Sequence, residues 1–75
     1  MEKKPFIARH QKIAESFMAK IAIGKWGVGD QLPSEQALAE EYGVSRFTVR
    51  SALDELQKRG MISRRRRFGT IVTSQ

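Results

Sequence analysis

The first third of the chain carries an apolar stripe with the period of a helix. Ile13, Phe17 and Ile21 recur at every fourth position within residues 7–23, which places their side chains on one helical face. Gly24 follows the stripe and is a suitable C-terminal cap. We therefore predict a first helix that packs one face on the core.

Residues 25–33 contain two glycines and a proline, which interrupt helices and predict a loop. A very short extended segment is expected at Gln31 and Leu32, where a short extra strand would lie. Two apolar residues of this loop, Trp26 and Val28, are expected to cover the end of the first helix and close the core.

Residues 34–50 are typical of two short helices joined by a glycine turn. Ser34 and Ser45 are good N-caps, and Gly43 suits the left-handed conformation that ends a helix. The second of these helices is predicted over residues 46–59. The buried positions expected in this pair are Leu38, Tyr42, Val44, Val49, Ala52, Leu53 and Leu56. Such a helix-turn-helix presents the N-terminal end of its second helix to the major groove of DNA.

Two short apolar segments follow Gly60, one beginning at Met61 and one at residues 70–73, and the basic sequence SRRRRFG joins them. They predict a β hairpin over residues 62–72, the wing of a winged helix. The expected fold is thus mainly α with a small β hairpin: three helices plus a two-stranded wing.

The second helix of the motif separates by angle into a buried and an exposed side. At about 100° per residue, Phe47 falls about 160° from the buried Val49, Arg46 and Arg50 lie on one flank, and Thr48 lies on the other. Phe47 either folds back onto a neighbouring loop or the wing, or contacts a thymine methyl or a sugar in the major groove. We favour the second interpretation.

The polar residues of this helix also allow two interpretations. Arg46 and Arg50 oppose the helix dipole; they are either a solvated face, with Arg50 paired to Asp54 at i+4, or ligands for a phosphate or a guanine edge. We expect Ser45 to cap the helix and also to let a phosphate approach its N-terminus. Thr48 is a candidate phosphate contact.

The net charge of +6 is unevenly distributed. Residues 1–45 carry six basic and six acidic residues, whereas residues 46–75 carry eight basic and two. Because a solvated surface normally mixes the two signs, this asymmetry predicts a face that binds a polyanion. The arginine run 64–67 is either a solubilising turn or a contact with phosphates or the minor groove. We favour contact, since adjacent like charges repel each other without an anion.

Other functional classes find little support. The chain has no cysteine, its start lacks the apolar run of a signal peptide or membrane span, and His10 is its only histidine. We therefore expect a soluble cytoplasmic protein that is not an enzyme and has no cofactor or metal. A winged helix that contacts protein or RNA is the alternative, but a protein-contact surface would expose an apolar patch instead of concentrated arginine.

The sequence resembles the winged helix-turn-helix domain of GntR-type bacterial transcription regulators. The resemblance rests on LPSE at residues 32–35, VSRFTVRSAL at residues 44–53, Gly60 and GTIV at residues 69–72, and it spans nearly the whole chain after the first helix. The stretch TVRSALDELQKRGMI, residues 48–62, is most similar to the HutC-like branch.

This resemblance implies sequence-specific binding of double-stranded DNA, with recognition helix 46–59 in the major groove and wing 62–72 on the minor groove. The predicted DNA-binding residues are Ser34, Gln36, Ser45, Arg46, Phe47, Thr48, Arg50, Arg64, Arg65, Arg66, Arg67 and Gly69. The chain departs from the family pattern twice: Gln36 stands where arginine is common, and Arg67 stands where the wing commonly has glycine.

The resemblance further implies a homodimer on a palindromic operator, usually a repressor released by a small metabolite that binds a C-terminal domain. We expect residues 1–75 to form the DNA-binding domain without that effector domain. On its own such a domain is expected to be monomeric or weakly dimeric, because linking two half-site modules is what supplies avidity.

Overall fold

Three helices and a two-stranded hairpin make up the regular structure of residues 9–65 and 69–74, which the computed structural model describes. The elements in chain order are α1 (Arg9–Ala22), α2 (Glu35–Tyr42), α3 (Arg46–Lys58), β1 (Ile62–Arg65) and β2 (Gly69–Val72). This is the winged helix predicted from the sequence.

The apolar stripe of α1 is buried as its period predicts. Ile13, Phe17 and Ile21 are all inside the core, and the helix packs this face on α3. Gly24 takes a φ of 82°, and its N–H donates to the carbonyl of Ile21. That left-handed conformation ends the helix and turns the chain away from its axis.

The loop after α1 closes the core with Trp26 but not with Val28. The ring of Trp26 is buried with its centroid 5.5 Å from that of Phe17. Val28 is 58% exposed, so its predicted place over the core was wrong. The reason is a tight turn in which the N–H of Asp30 donates to the carbonyl of Gly27. The turn puts Val28 at its tip, where the side chain faces solvent.

Both helices of the motif begin at their predicted serine caps, and α2 ends at the predicted glycine. Ser34 Oγ accepts from the N–H of Ala37, and Ser45 Oγ accepts from the N–H of Thr48, each at 3.1 Å. Gly43 ends α2 with a φ of 66°. The buried residues of the pair are Leu38, Ala39, Val49, Ala52, Leu53 and Leu56, with Tyr42 and Val44 packed partly buried against them.

The wing is anchored to the core at its base. Ile62 pairs with Val72 in an antiparallel register, and both side chains are buried. The extra extended segment is present as a single bridge between Gln31 and Ile71. This pairing fixes the loop before α2 against the second strand of the wing.

Candidate nucleic-acid interface

The first turns of α3 expose the side chains that the angular argument assigned to its outer face. Phe47 is 74% exposed, while Val49 on the opposite side is completely buried. Arg46 is also exposed. This exposure favours the interpretation in which the ring does not pack on a described loop or strand. An aromatic side chain therefore stands in solvent at the N-terminal end of a cationic helix.

Ser45 and Thr48 are tied together at the start of α3. In addition to the cap, the two hydroxyl oxygens lie 2.9 Å apart in a hydrogen bond. Ser45 is exposed and Thr48 is half-buried. The pair stabilises the N-terminus of the helix and presents hydroxyl groups beside it, where the helix dipole favours an anion.

Arg50 is held by an acid from the other helix of the motif. Its Nη2 lies 3.1 Å from Oε1 of Glu35, and its Nε lies 3.4 Å from Oε2. The pairing of Arg50 with Asp54 considered above is not formed, because Asp54 is bonded to the wing instead. The hydrogen bond from Arg50 to Glu35, followed by the attraction of its charge, raises the pKa of Arg50.

Arg64 is directed towards α3 and not towards the tip of the wing. Its Nη2 forms an ion pair with Oδ1 of Asp54, and its Nε donates to Oε1 of Gln57 at 2.6 Å. The next arginine, Arg65, is exposed. The two neighbouring wing arginines therefore have different surroundings.

A groove runs between the N-terminal ends of α2 and α3 and the wing. It collects half of the predicted contact residues: Ser34, Gln36, Arg46, Arg64, Arg65 and Gly69. Of the other predicted residues, Ser45 caps α3, and Phe47, Thr48 and Arg50 lie in its first two turns. Arg66 and Arg67, and with them the departure from the family pattern at Arg67, lie outside the described residues.

Gly69 has a structural reason to be glycine. Its φ is 75°, and a Cβ built at this position would lie 2.8 Å from Nε2 of Gln31. Left-handed backbone and close approach both favour a residue without a side chain. Gly69 thus has a backbone role at the start of β2, and its role at the DNA interface stays a prediction.

Four residues of this surface were not predicted from the sequence: Gln31, Glu35, Asp54 and Gln57. Glu35 and Asp54 are partners of predicted arginines, but sequence spacing does not reveal contacts between separate elements. The opposite charges themselves are the available signal, and the i+4 spacing offered Asp54 as the alternative partner of Arg50.

Within the described part of the chain, no helix is long and apolar enough to cross a membrane. No group of three or more candidate metal ligands is found in residues 9–65 and 69–74 either.

A helix-turn-helix with an arginine-bearing wing defines a winged helix-turn-helix domain of the kind found in transcription regulators. The family model for bacterial regulatory proteins of the gntR family matches residues 9–72. The chain therefore belongs to the GntR family, and the described residues form the DNA-binding domain of that family.

Curated relatives and a solved structure agree with this assignment. The histidine utilization repressor of Klebsiella aerogenes is 36% identical over 63 residues, which cover 84% of this chain and 26% of that protein. The mannosyl-D-glycerate transport/metabolism system repressor MngR of Escherichia coli strain K12 is 39% identical over 66 residues, which cover 88% of this chain and 28% of that protein. The chain thus spans about a quarter of the length of these relatives.

The crystal structure of AraR(DBD) in complex with operator ORR3 superimposes on this chain with a TM-score of 0.90 at 26% sequence identity. The match covers 97% of this chain and 88% of that chain. In that structure the matching domain is bound to operator DNA.

Proposed function

We propose that this domain reads a specific sequence in double-stranded DNA, with the N-terminal half of α3 in the major groove and the wing on the neighbouring minor groove. The observation that carries the proposal is the solvent-exposed ring of Phe47 beside two arginines at the capped end of α3. An apolar ring on that face has no packing role within the described residues. A thymine methyl in the major groove is a suitable partner.

Arg46 and Arg50 supply the polar part of the reading face. An arginine offers five N–H donors in a planar fork, and Glu35 accepts from only the Nε and Nη2 of Arg50. The Nη1 side of that fork can donate to a guanine edge or a phosphate. Glu35 thus limits the orientations that Arg50 can take as it approaches the DNA.

The remaining predicted residues are suited to the sugar-phosphate backbone, which positions a protein on DNA without reading sequence. Ser34 and Ser45 stand at the N-termini of α2 and α3, where backbone N–H groups and the helix dipole favour a phosphate. Gln36 and Arg65 line the groove between them and the wing. Thr48 adds a hydroxyl on the other flank of α3.

At the level of the whole regulator, we propose a cytoplasmic, non-enzymatic protein that acts as a homodimer on a palindromic operator. Repression controlled by a small metabolite is the expected mode, because the two curated relatives described above are both repressors. Two half-site readers in one dimer would supply the affinity that a single domain lacks.

Selection of bound duplexes from a random pool, followed by titration of the winner at several salt concentrations, tests the proposal. We expect one enriched motif. The logarithm of the affinity should fall linearly with the logarithm of the salt concentration, with a slope of about 0.9 in magnitude for each phosphate contacted. If the pool stays random after repeated rounds while the affinity for DNA still depends steeply on salt, the domain binds DNA without sequence specificity. Absence of any binding would remove DNA as the partner.

A further inference from the structure

The wing and the recognition helix are joined by a side-chain link that is separate from the hydrophobic anchor of the hairpin. Arg64 on β1 reaches both Asp54 and Gln57 on α3. The guanidinium is rigid and planar, so donation from two of its nitrogens to two acceptors defines its orientation as well as its distance. The link therefore constrains how the wing is inclined to α3.

The strand geometry explains why Arg64 is the arginine that faces the helix. Side chains on a strand alternate between its two faces, so Arg64 points to the same side as Ile62. Ile62 is buried in the core. Two residues further along, Arg64 makes a second anchor about 6.6 Å nearer the tip, at 3.3 Å per residue. The alternation directs Arg65 to the other face, where it is exposed.

The acceptors lie on the reading side of α3. At about 100° per residue, Asp54 and Gln57 fall between Arg46 and Phe47 around the helix, about two to three turns further along. The wing is thus fastened to the same face of α3 that carries the exposed aromatic ring. Two donor nitrogens of Arg64 are bonded to Asp54 and Gln57, whereas Arg65 is exposed.

We propose that Arg64 is a positioning residue, which Asp54 and Gln57 hold so that the wing and α3 meet DNA in a fixed relative orientation. The proposal rests on the proposed DNA-binding function. It assigns adjacent arginines different tasks: Arg65 contacts phosphate, and Arg64 sets the geometry that lets both elements engage one site.

Two substitutions at one position separate geometry from charge. Asp54→Asn and Asp54→Ala remove the same negative charge, but only asparagine keeps a side-chain oxygen that can accept from Arg64. The probes are the duplex enriched from a random pool and a shuffled duplex of equal length, and the measured quantity is the dissociation constant of the shuffled duplex divided by that of the enriched duplex. We expect Asp54→Ala to lower this ratio about fivefold to tenfold, and Asp54→Asn to keep it within about twofold of the parent chain.

Arg64→Ala and the double variant with Asp54→Ala complete a double-mutant cycle. Arg64→Ala should lower discrimination as Asp54→Ala does, and the double variant should be no worse than either single variant, because both remove the same link. Arg64→Ala should also leave the salt slope unchanged, whereas Arg65→Ala should flatten it by about 0.9. Equal discrimination in Asp54→Ala and Asp54→Asn, additive losses, or a flattened slope in Arg64→Ala would overturn the proposal.

A measurement without DNA keeps the test independent of the proposed function. Residual dipolar couplings of backbone amides report the orientation of β1 and β2 relative to α3 in the free 75-residue chain. They should change in Asp54→Ala and Arg64→Ala while the couplings within α1 and α3 stay the same, and they should be preserved in Asp54→Asn. An unchanged wing orientation in both alanine variants would refute positioning by Arg64 even if DNA binding is confirmed.

Discussion

The carboxylate of Glu35 receives two donors from Arg50, with Nη2 at 3.1 Å and Nε at 3.4 Å. Glu35 is the first residue of α2 and Arg50 lies in the second turn of α3, so the pair spans the glycine turn of the motif. Because the pKa of Arg50 is raised, its positive charge is present below its ordinary pKa and is lost only at still higher pH. Titration of Arg50 therefore contributes no pH dependence to DNA binding near neutrality.

Removing Glu35 is expected to impair recognition and not general attraction to DNA. In Glu35→Ala the Arg50 side chain loses its orienting partner, while a negative charge near the phosphates disappears. We expect affinity for the selected duplex to fall about threefold to tenfold relative to affinity for a shuffled duplex. Binding to the shuffled duplex should be unchanged or tighter.

Glu40→Ala is the matched control for that change. Glu40 is exposed on the same helix, about 140° around α2 from Glu35. Its substitution by alanine removes the same negative charge. It should leave the ratio of affinities unchanged. If both variants lower the ratio equally, the orientation of Arg50 by Glu35 is not what supports recognition.

Phe47 should matter for DNA and hardly at all for folding. Because the ring is 74% exposed, Phe47→Ala is expected to change the free energy of unfolding by no more than about 0.5 kcal/mol. We expect Phe47→Ala to weaken binding to the selected duplex. Replacing a contacted thymine of that duplex by uracil should weaken binding of the parent chain by a similar amount. In the Phe47→Ala variant the same uracil should then have no further effect.

Ile23→Ala controls for the loss of exposed apolar area in general. Ile23 is 77% exposed but follows α1, so its truncation should leave DNA affinity unchanged. Additive effects of Phe47→Ala and uracil at every thymine of the site would argue against the methyl contact.

The conformation of Gly69, more than the space around it, should determine its tolerance to substitution. A Cβ there would lie 2.8 Å from Nε2 of Gln31, the far end of a side chain that can move aside, whereas a Cβ on Gly24 would meet no atom within 4 Å. Both glycines have left-handed φ values of 75° and 82°. We therefore expect alanine to cost about 1 to 2 kcal/mol at either position, measured by urea denaturation.

The variant Gln31→Ala separates the two causes. Combined with Gly69→Ala it should recover little stability, because Gln31 is not the main source of the cost. Recovery of most of the loss would instead identify the contact with Gln31 as the reason for glycine at this position.

Lys20 should make stability pH-dependent in the alkaline range. Its Nζ lies 5.0 Å from the ring centroid of Trp26, 4.9 Å from that of Tyr42 and 3.2 Å from Oε2 of Glu41. The neighbouring Tyr42 raises the pKa of Lys20 most, partial burial lowers it, and the hydrogen bond to Glu41 raises it further. The net shift is upward, so the stabilisation is complete below the ordinary lysine pKa of about 10.4 and is lost above it.

Lys20→Met keeps most of the aliphatic length and removes the charge. We expect it to lower the free energy of unfolding by about 1 kcal/mol near neutral pH, and the difference from the parent chain to shrink as the pH rises through the raised pKa of Lys20. A difference that stays constant up to that range would assign the effect to packing of the side chain and not to its charge.

Local chemistry made much of the architecture predictable. Ser34, Gly43 and Ser45 mark their helix ends through hydrogen bonds to residues three or four positions away. Such short-range contacts can be predicted from the spacing of residue types along the sequence. The outward direction of Phe47 follows from the angle between successive residues of a helix. The wing followed from two apolar segments flanking a basic turn.

Contacts between separate elements were not predictable in the same way. Arg50 has an acid on its own helix at i+4, yet it pairs with Glu35, because the packing of α2 on α3 brings that carboxylate within reach while Asp54 is bonded to Arg64. Val28 has an apolar side chain of the kind found in protein cores, but the turn closed by Asp30 directs this side chain to solvent. The partner of Arg50 depends on where two helices meet, which spacing along the sequence does not encode, whereas the exposure of Val28 follows from a local turn.

Methylation interference on the selected duplex tests most directly whether α3 reads the major groove while the wing follows the minor groove. Dimethyl sulfate modifies guanine at N7, on the major-groove edge, and adenine at N3, on the minor-groove edge. We expect N7 methylation to block binding inside each half-site and N3 methylation to block it in the flanking segment beneath the wing. The Arg46→Ala variant should become insensitive to methylation of at least one of those guanines. Interference confined to adenine N3, or none at either atom, would contradict the placement of α3 in the major groove.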